Sequence, residues 1–287
     1  VNRGNLTLTD TIISDNSSED NGGAIESTGE LTLTDSAVSG NSADDDGGGI
    51  RNGGGTLTLT NSTVSGNSAD DGGGIFNNGG QLTLTDSTVS GNSADDDGGG
   101  IFNNGGQLTL TNSTVSGNSS TGDRFNSGGG GIINTGTSTL TNSTVSGNSA
   151  GDDGGGIMNR DGTLTLTNST VSGNSASKGG GIYNGSRFDD PTLTLIGSNI
   201  LGNFGSSGGG LYASDTATLI NSTVSLNSAR SRGGGIYGSS NLYLLNTTVS
   251  SNYTEGNGGG IYGGGKIANS TISNNVAVQE GGGIKNT

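Results

Sequence analysis

The chain has 287 residues, a formal net charge of −15, one proline, and no cysteine, histidine or tryptophan. Missing cysteine excludes a disulfide framework and thiolate metal sites, and 10 scattered basic residues against 25 acidic ones make nucleic acid a poor partner. Leu, Ile, Val and Phe supply only about a fifth of the chain, a share that by composition suggests disorder, but their strict placement overrules composition.

That placement is a repeat. The Asn of V-S-G-N recurs at Asn16, Asn41, Asn67, Asn92, Asn118, Asn148, Asn174, Asn203, Asn227, Asn252 and Asn275, and the apolar residue after each glycine run keeps step from Ile25 to Ile284. These are eleven units of about 25 residues. Within a unit the apolar period is two, the signature of strand. In the third unit Leu57 and Leu59 point one way and Thr58 and Thr60 the other; Val64 joins the leucines, and Ile75 after the glycines does the same. Three short strands per unit, turned at Asn, Gly and Asp corners, cannot bury their apolar sides alone, but stacked units line one continuous core. The expected fold is all-β, a parallel β-helix of about 11 coils over residues 1–287. With about 4.8 Å between strands, it makes a rod on the order of 50 Å long. A leucine-rich repeat would need a second leucine-rich half, which here is Gly, Ser and Asp. The chain starts at Val1, so it is expected to be one domain of a longer secreted or surface protein; no apolar run approaches 18 residues, and no membrane insertion by this segment is expected.

Along the chain, the first seven coils carry two complete outward Thr ranks: Thr7/Thr9, Thr32/Thr34, Thr58/Thr60, Thr83/Thr85, Thr109/Thr111, Thr139/Thr141 and Thr165/Thr167. Thr suits a solvent-facing strand; the flat T-x-T array also resembles the ice-binding faces of some antifreeze proteins, which makes ice binding one alternative function. The corner asparagines Asn41, Asn67, Asn92, Asn118, Asn148, Asn174, Asn203, Asn227 and Asn252 are expected to turn inward as a ladder of amides bonding backbone groups left free at the turn.

The next corner is acidic: Asp44, Asp45 and Asp46, Asp70 and Asp71, Asp95, Asp96 and Asp97, then Asp152 and Asp153. Carboxylates stacked about 5 Å apart repel unless solvent screens them or a cation bridges them. Two readings stand: a hydrated edge that discourages aggregation, or a calcium site, since calcium accepts irregular sets of oxygen ligands. No other cofactor is expected. After the glycine run an apolar and aromatic ladder climbs through Phe76, Phe102, Ile133, Met158, Tyr183, Tyr212, Tyr237 and Tyr262, available for self-stabilisation or for stacking on sugars or another rod. In the last four coils the second Thr rank becomes Ile196, Ile220, Leu245 and Ala268, an outward apolar stripe unless a local twist turns it inward. Charge is uneven as well. Residues 1–144 hold 17 acids and 3 bases, and residues 145–287 hold 8 and 7.

GGAI at 22–25 and V-x-x-N at 64–67 resemble the paired GGAI and FxxN repeats of polymorphic outer-membrane proteins. The whole chain resembles still more closely the Gly-, Asn- and Ser-rich right-handed β-helix repeats of large bacterial surface proteins. The resemblance implies a right-handed helix, an extracellular or cell-surface location, and adhesion or surface structure. Catalysis needs a base or carboxylates gathered at one cleft. The two insertions, 119–128 with Asp123, Arg124 and Phe125, and 184–192 with Arg187, Phe188, Asp189 and Asp190, sit at different corners about two coils apart. No catalytic residue is therefore assigned. The expected function is a non-catalytic structural or adhesive rod, self-assembling head-to-tail into filaments or contacting extracellular glycans through Ile196, Ile220, Leu245 and the tyrosines. A polysaccharide-binding or polysaccharide-degrading β-helix is the remaining alternative.

Overall fold

Residue alternation builds the walls of each coil. In the third coil the strands are Thr56–Thr60, Thr63–Ser65, Ser68–Ala69 and Ile75–Asn78. Each strand pairs in parallel with its equivalents one coil away, Leu57 with Leu82 and Thr58 with Thr83, so that four sheets of eleven strands run along the rod. The computed structural model describes residues 1–122, 127–186 and 189–286; among these no helix is long and apolar enough to cross a membrane. The all-β parallel helix of eleven coils is as the repeat implies. The one addition is the third strand, Ser68–Ala69, which at two residues is too short to show alternation. Leu57, Leu59, Val64 and Ile75 are fully buried, and burial of each such side chain contributes about 1.5–3 kcal/mol.

Corners hold the coils in register. At the first corner Asn61 adopts a left-handed backbone (φ 48°), and the next residue, Ser62, turns in. Its Oγ accepts the Ser36 N–H at 3.1 Å and donates to the Thr60 carbonyl at 2.8 Å. At the second corner, Asn67 Oδ1 accepts the backbone N–H of Asn41 at 2.9 Å and its amide at 3.0 Å. Asn67 Nδ2 donates to Val38 O at 3.1 Å and to Asn92 Oδ1 at 3.0 Å. Where the fourth sheet leads back to the first, Asn52, Asn77, Asn103, Asn134, Asn159 and Asn184 form another amide ladder, with Asn77 Nδ2 reaching Asn103 Oδ1 at 2.8 Å and the Gly80 carbonyl at 2.9 Å. The signals for the Ser ladder and this second Asn ladder are the recurring N-S-T and I-x-N, polar motifs without a hydrophobic period.

The glycine triplet at the third corner serves three purposes, seen in the fourth coil. Gly98 takes a positive φ of 66°. A Cβ on Gly99 would lie 2.2 Å from the Ser119 carbonyl oxygen, and one on Gly100 would lie 2.9 Å from Asn118 Nδ2. Coil length varies only beside this corner and the fourth. Leu59, Val64 and Ala69 are five residues apart, and that spacing recurs in all eleven coils.

Candidate contact surfaces

The Thr ranks of the first sheet stand in register, Thr32 on Thr58 on Thr83 on Thr109, as do Thr34, Thr60, Thr85 and Thr111. All eight are half-buried. The second sheet carries its own rank, Thr63, Thr88, Thr114, Thr144 and Thr170, so the hydroxyl array continues around the Asn61 corner.

In the late coils the second rank reads Thr167, Ile196, Ile220, Leu245 and Ala268 in register. No twist turns the row inward: Ile196 and Leu245 are 39% and 40% exposed. Ile220, Leu245, Tyr243, Thr218 and Lys266 line a groove of about 440 Å³. Lys266 Nζ lies 5.3 Å from the Tyr243 ring centre at its rim.

The ladder on the fourth sheet is bounded by charge. Its column runs Glu26, Arg51, Phe76, Phe102, then through Ile133, Met158 and the tyrosines to Lys285. Phe76, Phe102, Ile133, Met158 and Tyr183 form a second buried cluster outside the coil's core. Ring spacing is set by the coil rise: Tyr183–Tyr212, Tyr212–Tyr237 and Tyr237–Tyr262 stack at 5.4, 4.4 and 5.3 Å, within 24° of parallel. Ring faces therefore meet ring faces along the stack. Stacked in this way, neighbouring rings stabilise one another.

The acidic corner divides into two populations. Asp44, Asp45, Asp70 and Asp95 are exposed, and Asp96 and Asp152 half-buried. The last acid of each run turns toward the ladder and mostly finds a cation. Arg51 bonds Asp46 at 3.3 Å and Glu26 at 3.1 Å, Arg160 reaches across two coils to Asp97 at 3.2 Å, and Lys178 holds Asp153 at 3.2 Å. Asp71 accepts the Asp97 N–H at 3.0 Å. A uniformly hydrated edge is thus replaced, at one carboxylate per coil, by a partly buried row. Among the described residues no three carboxylates gather into a group that could hold a metal ion. Of the insertion residues, Asp123, Arg124, Phe125, Arg187 and Phe188 lie outside the described residues, while Asp189 and Asp190 are exposed.

Burial, more than neighbouring charge, pushes Asp71 and Asp153 up to about 6, and Asp46 and Asp97 upward too. The folded rod therefore holds these protons more tightly than the unfolded chain, where the carboxyls titrate near 3.8. That contribution is complete below the unfolded value and disappears as pH rises through 6. Each of Asp71 and Asp153 is expected to add about 1 kcal/mol at pH 5 relative to pH 7.5. Thermal melts should show a higher Tm at pH 5, with Asp71→Asn removing part of the gain; equal or lower Tm at pH 5 contradicts the assignment.

Four parallel sheets, inward polar ladders and outward hydroxyl ranks define a parallel β-helix. Residues 10–28 and 86–104 match the Chlamydia polymorphic membrane protein repeat. Both stretches begin at a left-handed Asp, Asp10 or Asp86, and cover the second, third and fourth sheets of their coil. No curated protein and no solved structure matches the chain. Repeat and fold together fit a surface-exposed structural or adhesive β-helix.

Proposed function

We propose that this chain is a non-catalytic rod displayed at a cell surface, structural along most of its length and adhesive in its late coils. The observation that carries the reading is the outward apolar row of exposed Ile196 and Leu245 with half-buried Ile220 between them, on a face that carries threonine in the earlier coils. Exposed contiguous apolar side chains mark contact sites, and the ladders beneath hold these at fixed spacing. Beads coated with the chain are expected to attach to cells or extracellular matrix. The pair Ile220→Asp and Leu245→Asp should abolish attachment while leaving the melt unchanged. Attachment indifferent to both changes rules the late coils out as the adhesive face.

Head-to-tail self-association is a second reading, and the polarity of the ladders favours it. Every link of the Asn67 ladder runs from the amide of one coil to Oδ1 of the next. A first coil thus offers acceptors and a last coil donors, and Lys285 of one copy would meet Glu26 of another as Arg51 does within the chain. A heterologous contact of this kind propagates as an open filament. Electron microscopy of the concentrated chain should show rods longer than eleven coils; isolated short rods at all concentrations exclude it.

A further inference from the structure

The third sheet changes character late in the rod. Its outward rank is serine through the first seven coils, then Phe204, Ser228, Tyr253 and Val276. Phe204 is 39% exposed, and the Arg230 guanidinium lies over its ring with Cζ 5.2 Å from the centre. Two residues on, along the same strand Ser228–Arg232, Arg232 sits 5.2 Å over the Tyr262 ring. Among the described residues neither arginine has a carboxylate within 4.0 Å, although acids outnumber bases 25 to 10. Glu255, in register with Arg230 one coil further on, stays beyond that distance. Beside Arg230 opens a cleft of about 330 Å³ lined by Gly151, Ser175, Ser177, Phe204 and Ser206. The half-buried hydroxyls of Ser177 and Ser206 make no side-chain hydrogen bond among the described residues.

We infer that this cleft binds a carboxylated sugar, a uronate unit of an anionic extracellular glycan. The inference rests on the adhesive reading and names its ligand class. A guanidinium fork matches the two oxygens of a carboxylate with parallel N–H···O bonds. The cation–π contact with the Phe204 ring positions that fork before the ligand arrives, so less side-chain freedom is lost on binding. The exposed part of the ring offers apolar contact to sugar C–H groups, and the two unpartnered serines offer hydroxyls to the sugar's own. Location agrees with the chemistry. Residues 1–144 carry 17 acids and 3 bases and repel a polyanion, whereas residues 145–287 are close to neutral.

Calorimetry on the full chain with an oligogalacturonate hexamer, and with the same hexamer as its neutral methyl ester, tests the site. The acid should bind at least tenfold more tightly than the ester. Arg230→Ala should remove tenfold or more of that affinity, and Arg230→Lys, which keeps the charge and loses the fork, should restore only a minor part. Both variants are surface changes, checked by unaltered circular dichroism; Thr88→Ala on the second sheet should change nothing. Equal binding of acid and ester, no binding of the acid, or full binding by Arg230→Ala each overturns the site. Bead attachment that persists in Arg230→Ala alongside any of those results leaves the adhesive reading standing. Loss of attachment in neither Arg230→Ala nor the Ile220/Leu245 pair would remove both.

Discussion

Replacing Asn118 with leucine is expected to destabilise the middle of the rod by about 4 kcal/mol, since each buried polar group left without a partner costs about 1–3 kcal/mol. Asn118 is 1% exposed and works in both directions. Its Oδ1 accepts the Asn92 N–H and the Asn92 amide, both at 2.9 Å, and its Nδ2 donates to Val89 O at 3.1 Å and Asn148 Oδ1 at 3.0 Å. Leucine leaves the Asn92 N–H and one hydrogen of the Asn92 amide buried without an acceptor, and takes the side-chain donor from the Val89 carbonyl. In a solenoid each coil is stabilised only by its neighbours, so the loss should uncouple the coils on either side. Hydrogen exchange is expected to accelerate across the fourth to sixth coils, and denaturant melts to split into two transitions. At Asn16, exposed in the first coil, the same replacement should cost less than about 1 kcal/mol. A similar cost at both positions would show that the ladder is not what couples the coils.

Gly99→Ala should be at least as damaging, for a different reason. The added methyl would lie 2.2 Å from the Ser119 carbonyl oxygen and 2.6 Å from that of Gly130, both backbone atoms that cannot rotate away. Relief requires the fourth and fifth coils to part, which lengthens the Gly99 N–H to Gly129 O bond of 3.1 Å and its neighbours along the corner. A loss above about 4 kcal/mol is expected, in the range reserved for changes that force a rearrangement of packed structure. Gly91→Ala supplies the comparison. Its φ is 62°, with nothing within 4 Å of the added atom, so only the left-handed strain of about 1–2 kcal/mol applies. Soluble yield and Tm of the two variants measure the difference; equal effects would mean that glycine at position 99 is there for backbone freedom alone.

Much of the architecture could be read directly because period and burial coincide. Leu57, Leu59, Val64 and Ile75 alternate with polar neighbours, so counting by twos finds the walls, and the recurrence of Asn67 finds one corner. What escaped the reading was polar and inward at once. Ser62 and Asn77 carry no hydrophobic signal, and only the hydrogen bonds of the folded coil show that they face the core. The Asp97–Arg160 pair was invisible for another reason: its members are 63 residues apart, and nothing in either local motif says that one spans two coils to reach the other. The division of the acidic corner follows from that. Its spacing announces carboxylates at a turn, but whether a given one meets water or a cation depends on the direction the backbone takes into the glycine run. The Arg230–Phe204 cleft joins residues of adjacent coils whose motifs separately look like breaks in the repeat.

The fixed spacing from Leu59 through Val64 to Ala69 has a consequence for how such a rod changes over generations. Two edges of the solid, those turned at Asn61 and Asn67, admit no extra residue in any of the eleven coils. An insertion there would break the serine or asparagine ladder of both neighbouring coils. The two edges flanking the fourth sheet have absorbed every change of length, including the segments at 119–128 and 184–192. Novelty is therefore confined to two margins running the length of the molecule, while the opposite side stays a ruled scaffold. A peptide tag or a foreign binding loop grafted after Ala94 or after Asn159 would inherit that tolerance, whereas the same graft after Thr60 would meet a corner with no slack.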